Sequence, residues 1–154
     1  MLLRFDDIEK FCESIRNESK KIVFTNGCFD IIHPGHTFYL KKAKEYGDIL
    51  IIGLNSDESV NRLKGAERPL NNAEDRAEVL LSLKPVDYVV VFTDDTPLEL
   101  IKRVKPDVLV KGGDYKKEDI VGADFVENRG GEVVVIPFVE GKSTSALVEK
   151  IKKL

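Results

Sequence analysis

The chain has 154 residues, of which 42% are hydrophobic and 33% charged, a length that suits one compact domain over residues 1–154. Its formal net charge of -3, with the signs interleaved, argues against nucleic acid as a partner. No apolar run approaches the ~20 residues that a membrane-spanning helix needs, so no membrane partner is expected. Met1–Lys10 already carries Arg4, Asp6, Asp7 and Glu9 and does not read as a secretory leader. The two cysteines, Cys12 and Cys28, lack metal-ligand spacing and suit a reducing, cytoplasmic setting.

Ile8, Phe11, Cys12 and Ile15 recur at i, i+3, i+4 and i+7, which predicts an amphipathic helix within a leading segment, residues 1–20. The remaining core, 21–154, contains five short runs rich in Val and Ile, at 22–25, 49–54, 86–92, 108–110 and 133–136. They are nearly continuous rather than alternating, as parallel strands covered on both faces are. Helices are predicted between them. The first covers 36–46 and is closed by Gly47; the second covers 73–83 and is capped by Asn72. Thr96 is the expected cap of a third, with Pro97 in its first turn and Glu99 completing a capping box. Two more cover 120–129 and 145–152, the latter capped by Ser143 or Thr144. The alternation predicts an α/β, Rossmann-like, doubly wound domain with a mainly five-stranded parallel sheet and helices on both faces. Residues 55–72 receive no element and exceed the usual connection length, so they read as a functional loop.

In open sheets of this kind ligands bind beyond the carboxyl ends of the strands. The first strand runs into Thr25-Asn26-Gly27-Cys28-Phe29-Asp30-Ile31-Ile32-His33-Pro34-Gly35-His36. His33 and His36 are the chain's only histidines, and they flank Pro-Gly where a helix begins. A helix start presents unpaired N–H groups and the positive end of the dipole, which favours phosphate. Imidazoles placed there can donate to phosphate oxygens as charge grows on them. A cap, a surface histidine or a zinc ligand would use the same residue type, but the i, i+4 zincin spacing is missing and Cys28 is the one nearby thiol. Neither GxxxxGK[ST] nor GxGxxG occurs.

Gly27-x-Phe29-Asp30 followed by His33-Pro34-Gly35-His36 resembles the HxGH signature of the nucleotidyltransferase superfamily that includes the cytidylyltransferases. Further segments continue the likeness in order. They are Leu54-Asn55-Ser56-Asp57, Arg62-Leu63-Lys64-Gly65, Arg68-Pro69, Asp75-Arg76-Ala77, Lys111-Gly112-Gly113-Asp114-Tyr115 and Ser143-Thr144-Ser145. Together they are similar to the heptose 1-phosphate adenylyltransferase domain of ADP-heptose synthesis, which serves the lipopolysaccharide core. The resemblance implies that residues 21–154 form a catalytic core transferring AMP from ATP to a sugar 1-phosphate with release of pyrophosphate. D-glycero-β-D-manno-heptose 1-phosphate is the implied acceptor. A cytidylyltransferase acting on glycerol 3-phosphate or a similar phosphorylated alcohol is the alternative, and a non-catalytic nucleotide sensor is the rival outside the enzymes.

On this resemblance His33, His36, Lys64 and Arg76 are the catalytic residues. Nucleotide binding falls to Asn26, Gly27, Cys28, Phe29, Asp30, Gly35, His36, Lys111, Gly112, Gly113, Asp114, Ser143, Thr144 and Ser145. Lys64 and Arg68 are the contacts to the substrate phosphate. Asp30 would orient a histidine or sit near magnesium, which is expected on the substrate phosphates without a protein metal site. For Arg76 the bland alternative is an ion pair with Glu74 or Glu78. For Lys64 and Arg68 it is a solvated basic pair, and for the serines ordinary capping. A homodimer is among the assemblies the resemblance implies, and a separate sugar kinase in the same pathway would supply the acceptor.

Overall fold

The structure, a computed structural model, describes residues 1–154. Its strands are β1 (Leu2–Leu3), β2 (Ile22–Gly27), β3 (Ile49–Asn55), β4 (Tyr88–Phe92), β5 (Val108–Gly112) and β6 (Glu132–Ile136). They form one sheet in the order β1-β4-β3-β2-β5-β6, with every pairing parallel. The helices are α1 (Ile8–Asn17), α2 (Pro34–Lys44), α3 (Asp57–Lys64), α4 (Ala73–Leu81), α5 (Leu98–Val104), α6 (Ala123–Asn128) and α7 (Thr144–Lys152).

Each central strand buries side chains on both faces, so two cores form. Ile22, Phe24, Ile51, Val90, Phe92 and Leu109 face one layer with residues of α1, α5 and α6. Their neighbours Val23, Leu50, Ile52, Val89, Val108 and Val110 face the other, with Leu40 and Ala43 of α2 and Ala77 and Leu80 of α4. This period-two exchange is why the strand sequences read as unbroken apolar runs.

The sheet has six strands rather than five. The extra one, β1, is two residues long, too short to carry a pattern, and it pairs Leu2 with Val89 at the edge. The second difference lies in the stretch expected to be loop, where α3 forms. Ser56 Oγ accepts from the Ser59 N–H at 3.2 Å, and Asp57 and Glu58 in the first turn complement the dipole. Two helix starts also move. Pro97, not Thr96, occupies the cap position of α5 with no side-chain cap bond, and α6 begins only after Gly122, whose φ is 84°. Ser143 is the cap of α7, accepting from the Ala146 N–H at 3.0 Å.

The chain builds β2, β3 and β4 outward in one direction, then returns to lay β5 on the other side of β2. The switch point therefore lies between β2 and β5, and the loops at their carboxyl ends form its crevice.

Candidate active site

Strand β2 ends at Gly27, and the chain turns through Phe29, which holds a left-handed φ of 46° although it is not glycine. That costly conformation is held because the ring is buried and packs against His36, with centroids 5.4 Å apart. The turn delivers His33 to the cap position of α2, so the helix begins at Pro34, two residues before the predicted start at His36. His33 Nδ1 accepts the Gly35 N–H at 3.1 Å, and His36 Nδ1 accepts the His33 N–H at 3.2 Å. The two histidines thus play the parts of Ser and Glu in a capping box. Gly35 is required here, because a Cβ would stand 2.9 Å from His33 Nδ1 and 2.8 Å from Cε1.

This box has a chemical consequence. A nitrogen that accepts a backbone N–H carries no proton, so the hydrogen-bond network places the neutral proton of each ring on Nε2. Neither Nε2 has a protein partner, leaving two donors at the helix start free for a ligand. Burial pushes His36 down to about 4, helped by the neighbouring His33 ring with its centroid 3.9 Å away. Burial and then Lys142 lower His33. The imidazole proton resonances of His36 in the free protein should accordingly show a neutral ring at pH 6 and a midpoint near 4. Because the folded value lies below the ordinary 6.5, the neutral ring's contribution to stability is complete above pH 6.5 and is lost as pH falls toward 4. A midpoint at or above 6.5 would contradict the capping geometry.

Asp30 does not orient a histidine. Its side chain is 1% exposed, and its oxygens accept the Leu70 N–H, the Asn71 N–H at 2.9 Å and Arg68 Nε at 2.7 Å. Burial pushes this carboxyl up, but the Asn71 and Leu70 amides and Arg68 outweigh it and hold the group below its usual value. Asp30 therefore pins the loop between α3 and α4 beneath the crevice. Asn71, which also donates to the Asp30 carbonyl at 2.7 Å, was not legible as a site residue.

Arg76 forms no ion pair with Glu74 or Glu78. Only 1% exposed, it donates to the carbonyls of Cys28 at 2.7 Å, Asn55 at 2.8 Å and Asn71 at 2.9 Å, and to Asp57 Oδ1 at 2.7 Å. These bonds tie together the ends of β2 and β3 and the entry to α4. Its place in the first turn of a helix, which the dipole disfavours, follows from that clamp.

Lys64 ends α3, exposed and without an acidic partner. Lys111, near the end of β5, is half-buried, with Nζ 5.2 Å from the Tyr115 ring centroid. Burial lowers its ammonium pKa, against a small opposing pull from Cys28. Burial pushes the Cys28 thiol up despite Lys64, Arg76 and Arg68, so it stays protonated and these cations surround a non-nucleophilic sulfur. Beyond Lys111, Gly113 adopts φ 108° and lies under the Phe138 ring, which a Cβ would meet at 2.7 Å. Thr144 Oγ1 donates to the Ile31 carbonyl at 3.4 Å, and Lys142 Cβ comes within 3.2 Å of where a Gly35 Cβ would sit. The Ser143-Thr144-Ser145 start of α7 therefore lies against the histidine turn. Asn26, Gly112 and Asp114 complete the strand-end segments, with Tyr39 packed beneath Gly112: its Oη contacts Thr25 Oγ1 at 2.6 Å and donates to the Val110 carbonyl at 3.1 Å. Tyr39, Lys142 and Phe138 carry no motif of their own, and spacing does not single them out.

No cluster of three or more His, Cys, Asp or Glu side chains is arranged to hold a metal ion, and Asp30 has its oxygens filled by protein donors. Asp30 is thus committed to Arg68, Leu70 and Asn71 and not to a histidine, which corrects the expectation that it orients one.

A helix start with two free imidazole donors and nearby cations, at the switch point of a doubly wound sheet, is a setting suited to a phosphorylated ligand. The chain belongs to the cytidylyltransferase-like family, whose model matches residues 24–146. It is 59% identical over 148 residues to the Bifunctional protein HldE of a Nitratiruptor species, and 58% identical over 151 residues to the HldE of Wolinella succinogenes. These alignments cover 96% and 98% of this chain but 31% of either relative, so the chain spans about a third of their length. Among solved structures it is similar to the lipopolysaccharide core biosynthesis protein from Thermoplasma volcanium. That match has a TM-score of 0.63 at 25% identity and covers 80% of this chain and 99% of the other.

Proposed function

We propose that the chain transfers AMP from ATP to a sugar 1-phosphate, D-glycero-β-D-manno-heptose 1-phosphate in particular, releasing pyrophosphate and forming ADP-heptose for lipopolysaccharide cores. The observation that carries the reaction type is the His33–His36 pair, neutral and with both Nε2–H donors unspent at the start of α2. The HldE relatives support the sugar nucleotide, as does the lipopolysaccharide core biosynthesis neighbour. An ionised acceptor phosphate attacks the α-phosphorus in line, the bond to the pyrophosphate oxygen breaks, and no covalent enzyme intermediate forms. Because that nucleophile is ionised near neutral pH, the protein needs no strong general base.

The chain's own residues then work by position and charge. His33 and His36 donate to the triphosphate oxygens that gain charge. Lys64 and Arg68 draw in the acceptor phosphate, with Arg68 held at Nε by Asp30 and its terminal nitrogens free. Lys111, Gly112, Gly113 and Asp114 face the nucleoside, and Ser143-Thr144-Ser145 offer hydroxyls and N–H groups to a phosphate. Magnesium would enter on the substrate phosphates and neutralise their charge. A separate sugar kinase in the same pathway would contribute to making the phosphorylated acceptor, and a cytoplasmic setting suits both substrates.

Pyrophosphate release, measured with ATP and CTP crossed against heptose 1-phosphate and glycerol 3-phosphate, tests the proposal. Release confined to the ATP–heptose pair is expected. Release with CTP and glycerol 3-phosphate would keep the reaction type and overturn the substrates.

A further inference from the structure

Next to the crevice lies a cavity of about 450 Å³ lined by Asp57, Glu58, Asn61, Arg62, Arg68 and Pro69. One wall is α3, where Asp57, Glu58, Asn61 and Arg62 fall at i, i+1, i+4 and i+5 and so share a face. The opposite wall is the loop that Asp30 pins. Two bonds join the cavity to the site: Arg68 Nε to Asp30 at 2.7 Å, and Arg76 to Asp57 Oδ1 at 2.7 Å.

Much of the lining's hydrogen-bonding capacity is unspent. Glu58 is exposed and makes no hydrogen bond or ion pair, and Asp57 uses one oxygen on Arg76. Asn61 Nδ2 makes only long contacts of 3.4 Å to the Gly65 and Arg68 carbonyls. Arg68 keeps both terminal nitrogens. Apart from Pro69, every side chain in the lining carries a polar or charged group. A free anion would meet the carboxylates of Asp57 and Glu58. A polyol suits both kinds of group, since its hydroxyls donate to carboxylates and accept from amide and guanidinium N–H.

We infer that this cavity holds the polyhydroxylated body of the acceptor, with Glu58 and Asn61 reading its hydroxyls and Arg68 standing between them and the acceptor's phosphate. This rests on the sugar 1-phosphate reading above and assigns that substrate its specificity residues. Losing one charge-assisted or amide hydrogen bond corresponds to roughly a tenfold loss of affinity.

The test uses the full chain with Glu58→Ala and Asn61→Ala, both at helix positions that face solvent. Each is expected to raise the KM for heptose 1-phosphate ~10-fold and leave the KM for ATP in place. Ligand-observed NMR, with the protein loaded with a non-hydrolysable ATP analogue, reads the same sugar phosphate without turnover. Saturation transfer to its ring protons in the wild type, weakened in both variants, supports the cavity even if no pyrophosphate is released, an outcome that would sink the function and not the site. Unchanged sugar KM and unchanged saturation transfer in both variants would overturn the inference while leaving the transferase reading intact. Absence of saturation transfer from the wild type to the ring protons would overturn it as well.

Discussion

Replacing His36 with alanine is expected to lower the rate of pyrophosphate release about 10²–10³-fold, the loss typical of removing one preorganised donor from a developing oxyanion. His36 Nδ1 is committed to the His33 N–H, so the ring cannot turn to present a different nitrogen, and its low pKa keeps it a neutral donor across the working range. The substitution also removes half of the α2 capping box, at a cost of about 1 kcal/mol, small enough to leave the domain folded. Steady-state kinetics beside a thermal melt separate the two effects. His36→Gln, whose amide nitrogen can still donate, should recover part of the rate. A variant that keeps wild-type turnover would remove the imidazole from the chemistry.

The second large effect is on stability. Arg76→Ala should destabilise the fold by about 3–5 kcal/mol, the range found when a buried charge network loses a partner. The guanidinium is the common partner of three backbone carbonyls from separate segments, and none of them has a replacement donor once it is gone. Arg76→Lys should not restore the loss, because an ammonium cannot span acceptors fixed by a planar fork. Denaturant titration measures this. If Arg76 instead contacts substrate alone, Arg76→Ala would unfold at the wild-type midpoint and lose only activity.

The parallel sheet and its two helix layers were legible because the strands are buried on both faces and carry unbroken Val and Ile runs. The histidine turn was legible for a different reason: Pro-Gly between the only two histidines falls where a strand meets a helix. Helix α3 was not, since a single turn of Ser56-Asp57-Glu58-Ser59 is polar and its buried side chains are only Ser59 and Val60. The local signal for this helix is Ser56 as its cap, with Asp57 and Glu58 in the first turn. The roles of Asp30 and Arg76 were out of reach, because their partners, Asn71 and the carbonyls of Cys28 and Asn55, are brought to them by chain reversals that local sequence does not encode. A positive charge buried in a helix's first turn is recognisable as odd from sequence, but what it clamps is a tertiary fact.

The proposed transfer of the adenylyl group from ATP to a sugar 1-phosphate is read from the fate of the α-phosphorus. With ATP labelled at the α-phosphate, magnesium and heptose 1-phosphate, the label is predicted to leave ATP as ADP-heptose, with unlabelled pyrophosphate released in equal amount and none retained on the protein. Label recovered as free AMP, or fixed to the polypeptide, would contradict direct transfer.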